Sequence, residues 1–137
     1  MGLLDSLFDG GTGDDDGSKR YAVLMNAGPE DFAKAGNGFQ YAIELDEAGY
    51  DVELFLDGKA TQWPAEFAED PDRPFGHHWS RLQSRGILTG ACGYCANAFD
   101  ADEACRLEDV ELLSGADEHA PAVARLADEG YELLTVG

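Results

Sequence analysis

The hydrophobic positions of this chain alternate between a strand-like and a helix-like period. Tyr21–Met25 is a continuous apolar run that reads as a strand, followed by a turn at Asn26–Pro29. Between Glu30 and Ala48 the apolar residues Phe32, Ala35, Phe39, Ala42 and Ile43 recur at helical spacing. Gly36 and Gly38 weaken the middle of that helix, and Gly49 suits its C-terminal cap. Val52–Leu56 reads as the second strand and Asp57-Gly58 as the turn that closes it. The stretch Lys59–Gly76 follows neither period and holds Pro64, Pro71 and Pro74, so a long irregular loop is predicted, of the kind that serves function or moves.

The second half repeats the alternation. His77–Arg85 predicts a short helix stopped at Gly86, and Ile87–Ala91 the third strand. Tyr94–Phe99 begins a helix, and Asp100-Ala101-Asp102-Glu103 carries the residues of a capping box for another. Val110–Leu113 is the expected fourth strand, and Glu132–Val136 the fifth. Between them Pro121–Glu129 forms a helix with Ala122, Val123, Leu126 and Ala127 on one face. Strands separated by helices predict a three-layer α/β/α fold around a mainly parallel five-stranded sheet, because right-handed crossovers place helices on both faces. Residues 20–137 form one expected domain. Residues 1–19, rich in Gly and Asp, bury too little apolar surface to offset ordering entropy and read as a flexible tail.

Composition narrows the function classes. The chain has 28 acidic against 9 basic residues, a net charge of −19. Its first 20 residues hold five of the acids and two of the bases, a share of −3, which leaves −16 on the rest. Such a surface repels phosphate backbones, so direct nucleic-acid binding is not expected. It fits adaptation to a salt-rich cytoplasm, where ions screen self-repulsion. The rival reading is an acidic docking surface for a basic partner. No apolar run approaches the roughly 20 residues that span a bilayer, and the start lacks the basic and long apolar regions of a secretory signal. Met1-Gly2-Leu3-Leu4-Asp5-Ser6 has the spacing of an acylation signal, but so short a pattern is ascribed to chance. A cytoplasmic protein without a membrane partner is expected.

The three cysteines, an odd number without an export signal, argue against a disulfide framework and leave free, catalytic or metal-binding thiols. Cys92 directly follows the third strand, on the edge where open α/β sheets place their sites, and Cys95 follows with the spacing C-x-x-C. A thiol at the start of a helix is favoured as the thiolate, the form that exchanges sulfur. No Lys or Arg flanks the pair. Against the site reading, two small residues could simply pack a turn. Cys105 reads as core filling within the next helix, or as a third thiol facing the pair.

A zinc site would combine Cys92 and Cys95 with His77, His78 or Cys105, yet strong zinc signatures show two spaced pairs, so no metal is assigned. His77 and His78 read as solvated residues at a helix start and His119 as a loop histidine. A thioredoxin reading needs the pair early and a later cis-proline. Here the pair comes after the third strand, and no suitable proline is evident. Nucleotide-binding and esterase motifs are missing.

Three segments together carry a family resemblance: Tyr21-Ala22-Val23-Leu24-Met25, Asp51 to Ala60, and Gly86-Ile87-Leu88-Thr89-Gly90-Ala91-Cys92-Gly93-Tyr94-Cys95. The chain resembles the DsrE-like family of small sulfur-relay proteins from about Arg20 to Gly137. The resemblance implies a three-layer α/β/α fold, no organic cofactor, and a homo-oligomer, trimer or hexamer. It implies that Cys92 carries sulfur as a persulfide and that Cys95 is the second cysteine of the C-G-x-C pattern. Sulfur donor and acceptor proteins are then the partners, and the chain is a sulfur carrier or sulfurtransferase-like subunit. Cys95 would release the sulfur as a resolving thiol or protect Cys92 through a reversible disulfide. Trp63, Phe75 and Trp79 are candidates to shield the persulfide. The alternative is an oligomeric binding or redox-sensing module, with a Cys92/Cys95 disulfide or a zinc site and no transferase activity.

Overall fold

The computed structural model describes residues 19–137. The acylation pattern and, Lys19 apart, the expected tail lie outside the described residues. Four parallel strands form one sheet: β1 (Arg20–Met25), β2 (Asp51–Leu56), β3 (Leu88–Ala91) and β4 (Tyr131–Val136), in the order β3-β2-β1-β4. Both inner strands are paired on each side, so their apolar runs are buried on both faces, as parallel sheets require. Val23, Met25, Leu54 and Leu56 point into the larger core, and Ala22, Leu24 and Phe55 into a smaller one.

The larger core is covered by α1 (Phe32–Glu47), α2 (Trp63–Glu69) and α3 (Gly76–Ser84), with α4 (Gly93–Ala98) and α5 (Asp102–Leu107) adding Ala96 and Cys105. On the opposite face α6 (Val123–Asp128) buries Leu126 against Ala22, Leu24, Phe55 and Tyr131. The three-layer α/β/α architecture is therefore present and, among the described residues, one layer is much thinner than the other.

Three expectations need correction. The strand expected at Val110–Leu113 is reduced to a single parallel bridge, Ala91 to Leu112. Ala91 N–H donates to the Glu111 carbonyl at 2.8 Å, and Leu113 N–H to the Ala91 carbonyl at 2.9 Å. Forward, the ladder stops because β3 ends at Ala91, where Cys92 turns the chain into α4. Backward, Asp109 at φ 60° and the Val110 amide bonded to the Cys105 carbonyl still belong to the exit from α5. Among the described residues the sheet thus has four strands, not five.

Lys59–Gly76 is not a structureless loop. It contains a 3-10 helix at Gly58–Gln62 and then α2. Apolar burial decides this: Trp63 and Phe67 stack at 5.1 Å, Phe67 and Trp79 at 4.9 Å, and all three surround Phe39 of α1. The indole N–H of Trp63 donates to the Ala27 carbonyl at 2.8 Å. Finally, the capping box expected from Asp100 does not form. Asp100 adopts φ 55°, and Ala101 is the N-cap of α5 without a side-chain cap.

Candidate functional site

Parallel strands end on one edge, and two side chains of the site stand on the first residue past a strand. Asp57 follows β2 and Cys92 follows β3. Adjacent pairing of those strands, with Leu56 opposite Ala91, brings the two positions together. The Asp57 amide donates to the Met25 carbonyl and the Cys92 amide to the Leu56 carbonyl, so each backbone is held to the neighbouring strand.

Cys92 is the N-cap of α4, and its side chain is fully buried. Its sulfur accepts two backbone N–H bonds, from Cys95 at 3.4 Å and from Ala120 at 3.3 Å. Cys95, one turn further on, faces different chemistry. Its thiol donates to Asp57 Oδ1 at 3.1 Å. Burial first, and the hydrogen bond to the Asp57 carboxylate second, push the Cys95 thiol up to about 12. Cys95 therefore keeps its proton at neutral pH, while the Cys92 sulfur is surrounded by donors.

The segment between the 111–113 bridge and α6 closes the site. Gly93 N–H donates to Ser114 Oγ at 3.0 Å, and Ser114 Oγ donates to the Glu118 carbonyl at 2.6 Å. This brings His119 over the pair, with its Nε2 3.1 Å from Asp57 Oδ1. Asp57 Oδ1 also accepts the Gly58 N–H at 2.9 Å. Asp57 Oδ1 thus accepts from Cys95 and a backbone amide and lies within ion-pair distance of His119 Nε2. The His119 side chain is 55% exposed, and the Tyr94 ring lies 6.4 Å from it, so these two form the outer wall. One ligand atom from each of Asp57, Cys92, Cys95 and His119 lies within 4.8 Å of the others. A cleft of about 500 Å³ opens beside this wall, lined by Phe55, Leu113, Ser114, His119, Ala120 and Arg125 among others.

The structure brings Cys92 and Cys95 together as C-x-x-C expects, but it replaces the other suggested partners. His78 bonds Gln40 at 2.8 Å between α3 and α1, and Cys105 sits in the core with its thiol toward the Thr61 carbonyl at 3.7 Å. Trp63 and Trp79 belong to the aromatic core, and the Phe75 ring packs across Gly36. None of the three covers the thiols. Asp57 and His119, read from sequence as a turn residue and a loop histidine, are the actual neighbours. Pro121, expected to open a helix, instead follows a cis peptide bond from Ala120, whose N–H bonds the Cys92 sulfur. For Asp57 a sequence signal existed: it is the first residue after an apolar strand, on the edge where such sheets build sites. For His119 there was none.

The DsrE/DsrF-like family model matches residues 19–136. A solved structure of a conserved protein of unknown function from Bacteroides thetaiotaomicron is similar, with a TM-score of 0.60 at 13% identity. The similarity covers 85% of this chain and 94% of that one, and it establishes a shared fold. Among curated proteins, none matches the chain.

Proposed function

We propose, from the premise that this chain belongs to the DsrE/DsrF-like family, that it is a sulfur-relay subunit carrying sulfane sulfur on Cys92. The observation that carries the reading is the contrast between the two thiols. The Cys92 sulfur faces two N–H donors, which suit a sulfur bearing negative charge, whereas Cys95 faces a carboxylate that holds its proton. Cys92 is then the attacking sulfur and Cys95 the second thiol.

In the first step the Cys92 thiolate attacks the terminal sulfur of a donor persulfide, R–S–SH. A bond forms between Cys92 Sγ and that sulfur, the donor S–S bond breaks, and R–S⁻ leaves with the electron pair. An acceptor thiolate then takes the terminal sulfur in the same manner and regenerates Cys92. Alternatively Cys95, once deprotonated, attacks Cys92 Sγ, forming a Cys92–Cys95 disulfide and releasing HS⁻. A thiol reductant then restores the pair. Because Cys92 is buried, the donor must first displace His119 or the segment that holds it. A donor protein, an acceptor protein and a homo-oligomer of trimer or hexamer type complete the proposal, in a cytoplasmic setting. Among the described residues no helix is long and apolar enough to cross a membrane.

Intact-protein mass spectrometry after incubation with a persulfide donor in high salt tests the reading on wild type, Cys92→Ser and Cys95→Ser. One added sulfur in wild type and Cys95→Ser, absent from Cys92→Ser, is the expected result. No uptake in any form would sink the carrier role.

A further inference from the structure

We propose that Asp57, Cys92, Cys95 and His119 form a zinc(II) site, occupied only when Cys92 carries no sulfur. The ion site rests on the convergence of the four donors, and its exclusion by bound sulfur rests on the carrier reading above. Two thiols, an imidazole and a carboxylate are a donor set that borderline-soft zinc accepts, while hard cations prefer oxygen alone. Tetrahedral zinc with bonds of about 2.0–2.3 Å sets ligand atoms roughly 3.3–3.8 Å apart. The four atoms already lie within 4.8 Å of one another, and two of the separations, Cys95 to Asp57 and His119 to Asp57, are 3.1 Å. No pair has to close by more than about 1 Å to reach those spacings.

Outer contacts fit the same assignment. The N–H groups of Cys95 and Ala120 point at the Cys92 sulfur, as donors that support a metal-bound thiolate do. The Gly58 N–H holds Asp57 Oδ1, the oxygen that faces both Cys95 and His119. His119 is the exposed ligand and sits on the outer wall, so it is the side through which zinc arrives and leaves.

Zinc binds both sulfurs as thiolates, so a proton still on either sulfur goes to solvent, and no oxidation state changes. A zinc-bound Cys92 cannot attack a persulfide, and a persulfidated Cys92 places an extra sulfur where the ion would sit. The two states exclude each other.

The test uses reduced, chelator-treated full-length protein in high salt, titrated with cobalt(II) chloride and then with zinc chloride. A thiolate-to-cobalt charge-transfer band that saturates at one ion per chain and is bleached by zinc is expected. Cys92→Ser should cut the band to half or less, because Cys95 remains as a thiolate, and the double variant Cys92→Ser/Cys95→Ser should abolish it. Altering an outer contact alone costs about 10–100-fold in affinity, so His119→Ala, which removes a ligand, should cost at least that much. His78→Ala should leave the titration unchanged, and circular dichroism of every variant guards against misfolding. No charge-transfer band, a band of undiminished intensity in Cys92→Ser, or wild-type affinity in folded His119→Ala would each overturn the site. Persulfide uptake separates this proposal from the carrier reading. Uptake by metal-free protein without cobalt or zinc binding sinks only the metal site. Metal binding without uptake by metal-free protein sinks only the carrier. Equal uptake by metal-free and zinc-loaded protein overturns the mutual exclusion.

Discussion

Gly93 and Ser114 approach so closely that no other residue fits between the two cysteines at this position. The Gly93 amide donates to Ser114 Oγ, and a Cβ built on Gly93 would stand 1.9 Å from the Ser114 carbonyl oxygen. That carbonyl is backbone, so the strand-to-helix turn at Cys92 and the segment leading to His119 must separate if the contact is violated. Gly93→Ala is therefore expected to lower stability by about 1–3 kcal/mol, the usual cost of overpacking a tight contact. It should also slow sulfur uptake in protein that remains folded. Denaturant unfolding and the mass-spectrometric assay check the two effects separately, and an unchanged midpoint would show that the segment yields freely.

Access to Cys92 follows from its cover. The sulfur is buried, whereas the His119 side chain above the pair is 55% exposed and held by Asp57. In metal-free protein His119→Ala should speed alkylation of Cys92 several-fold without changing that of Cys105. Peptide mapping after timed labelling reads both rates. Equal acceleration of the two would indicate general loosening instead.

Cys105 sets an alkaline limit on stability. Burial first, then the nearby Asp102 carboxylate, pushes its thiol up to about 11 from an ordinary value of about 9. The unfolded thiol thus loses its proton at lower pH than the folded one, and the folded state binds the extra proton in between. Stability from this group is complete below about pH 9 and is lost as pH rises toward 11, by up to roughly 2–3 kcal/mol. Urea midpoints measured between pH 8 and 11 should fall less steeply in Cys105→Ala than in wild type. Its overall stability will be lower because the core loses a sulfur. Parallel pH slopes would show that the Cys105 proton is not linked to folding.

Salt addresses the acidic surface. With a net charge of −19, self-repulsion opposes the compact state until ions screen it. The thermal midpoint should rise steeply between low and molar potassium chloride. A flat response would favour an acidic surface shaped for a basic partner.

Local pattern was enough to identify much of this molecule. Apolar runs at Tyr21–Met25, Val52–Leu56 and Glu132–Val136 became strands, and the helical spacing from Phe32 to Ile43 became α1, because burial on a sheet or a helix face imposes its period directly on the sequence. The thiol pair was legible for a similar reason: Cys92 and Cys95 are one helical turn apart and immediately follow an apolar strand. Val110–Leu113 looked the same as a strand locally, yet β3 ends at Ala91 on one side of the bridge, and on the other the Val110 amide bonds the Cys105 carbonyl at the exit from α5. Likewise Trp63, Phe67 and Trp79 found the core only because Phe39 of α1 lies beneath them.

Sequence by itself determined the parallel α/β class, the acidic surface and the C-x-x-C thiols, since each depends on residue type and short spacing. Tertiary structure alone decided what those thiols face. Asp57 meets Cys95 across 38 residues, and Ala120 reaches the Cys92 sulfur across 28. Contacts of that separation leave no period in the chain. They exist because parallel strands end on a common edge, and because the segment after the 111–113 bridge crosses that edge on its way to α6.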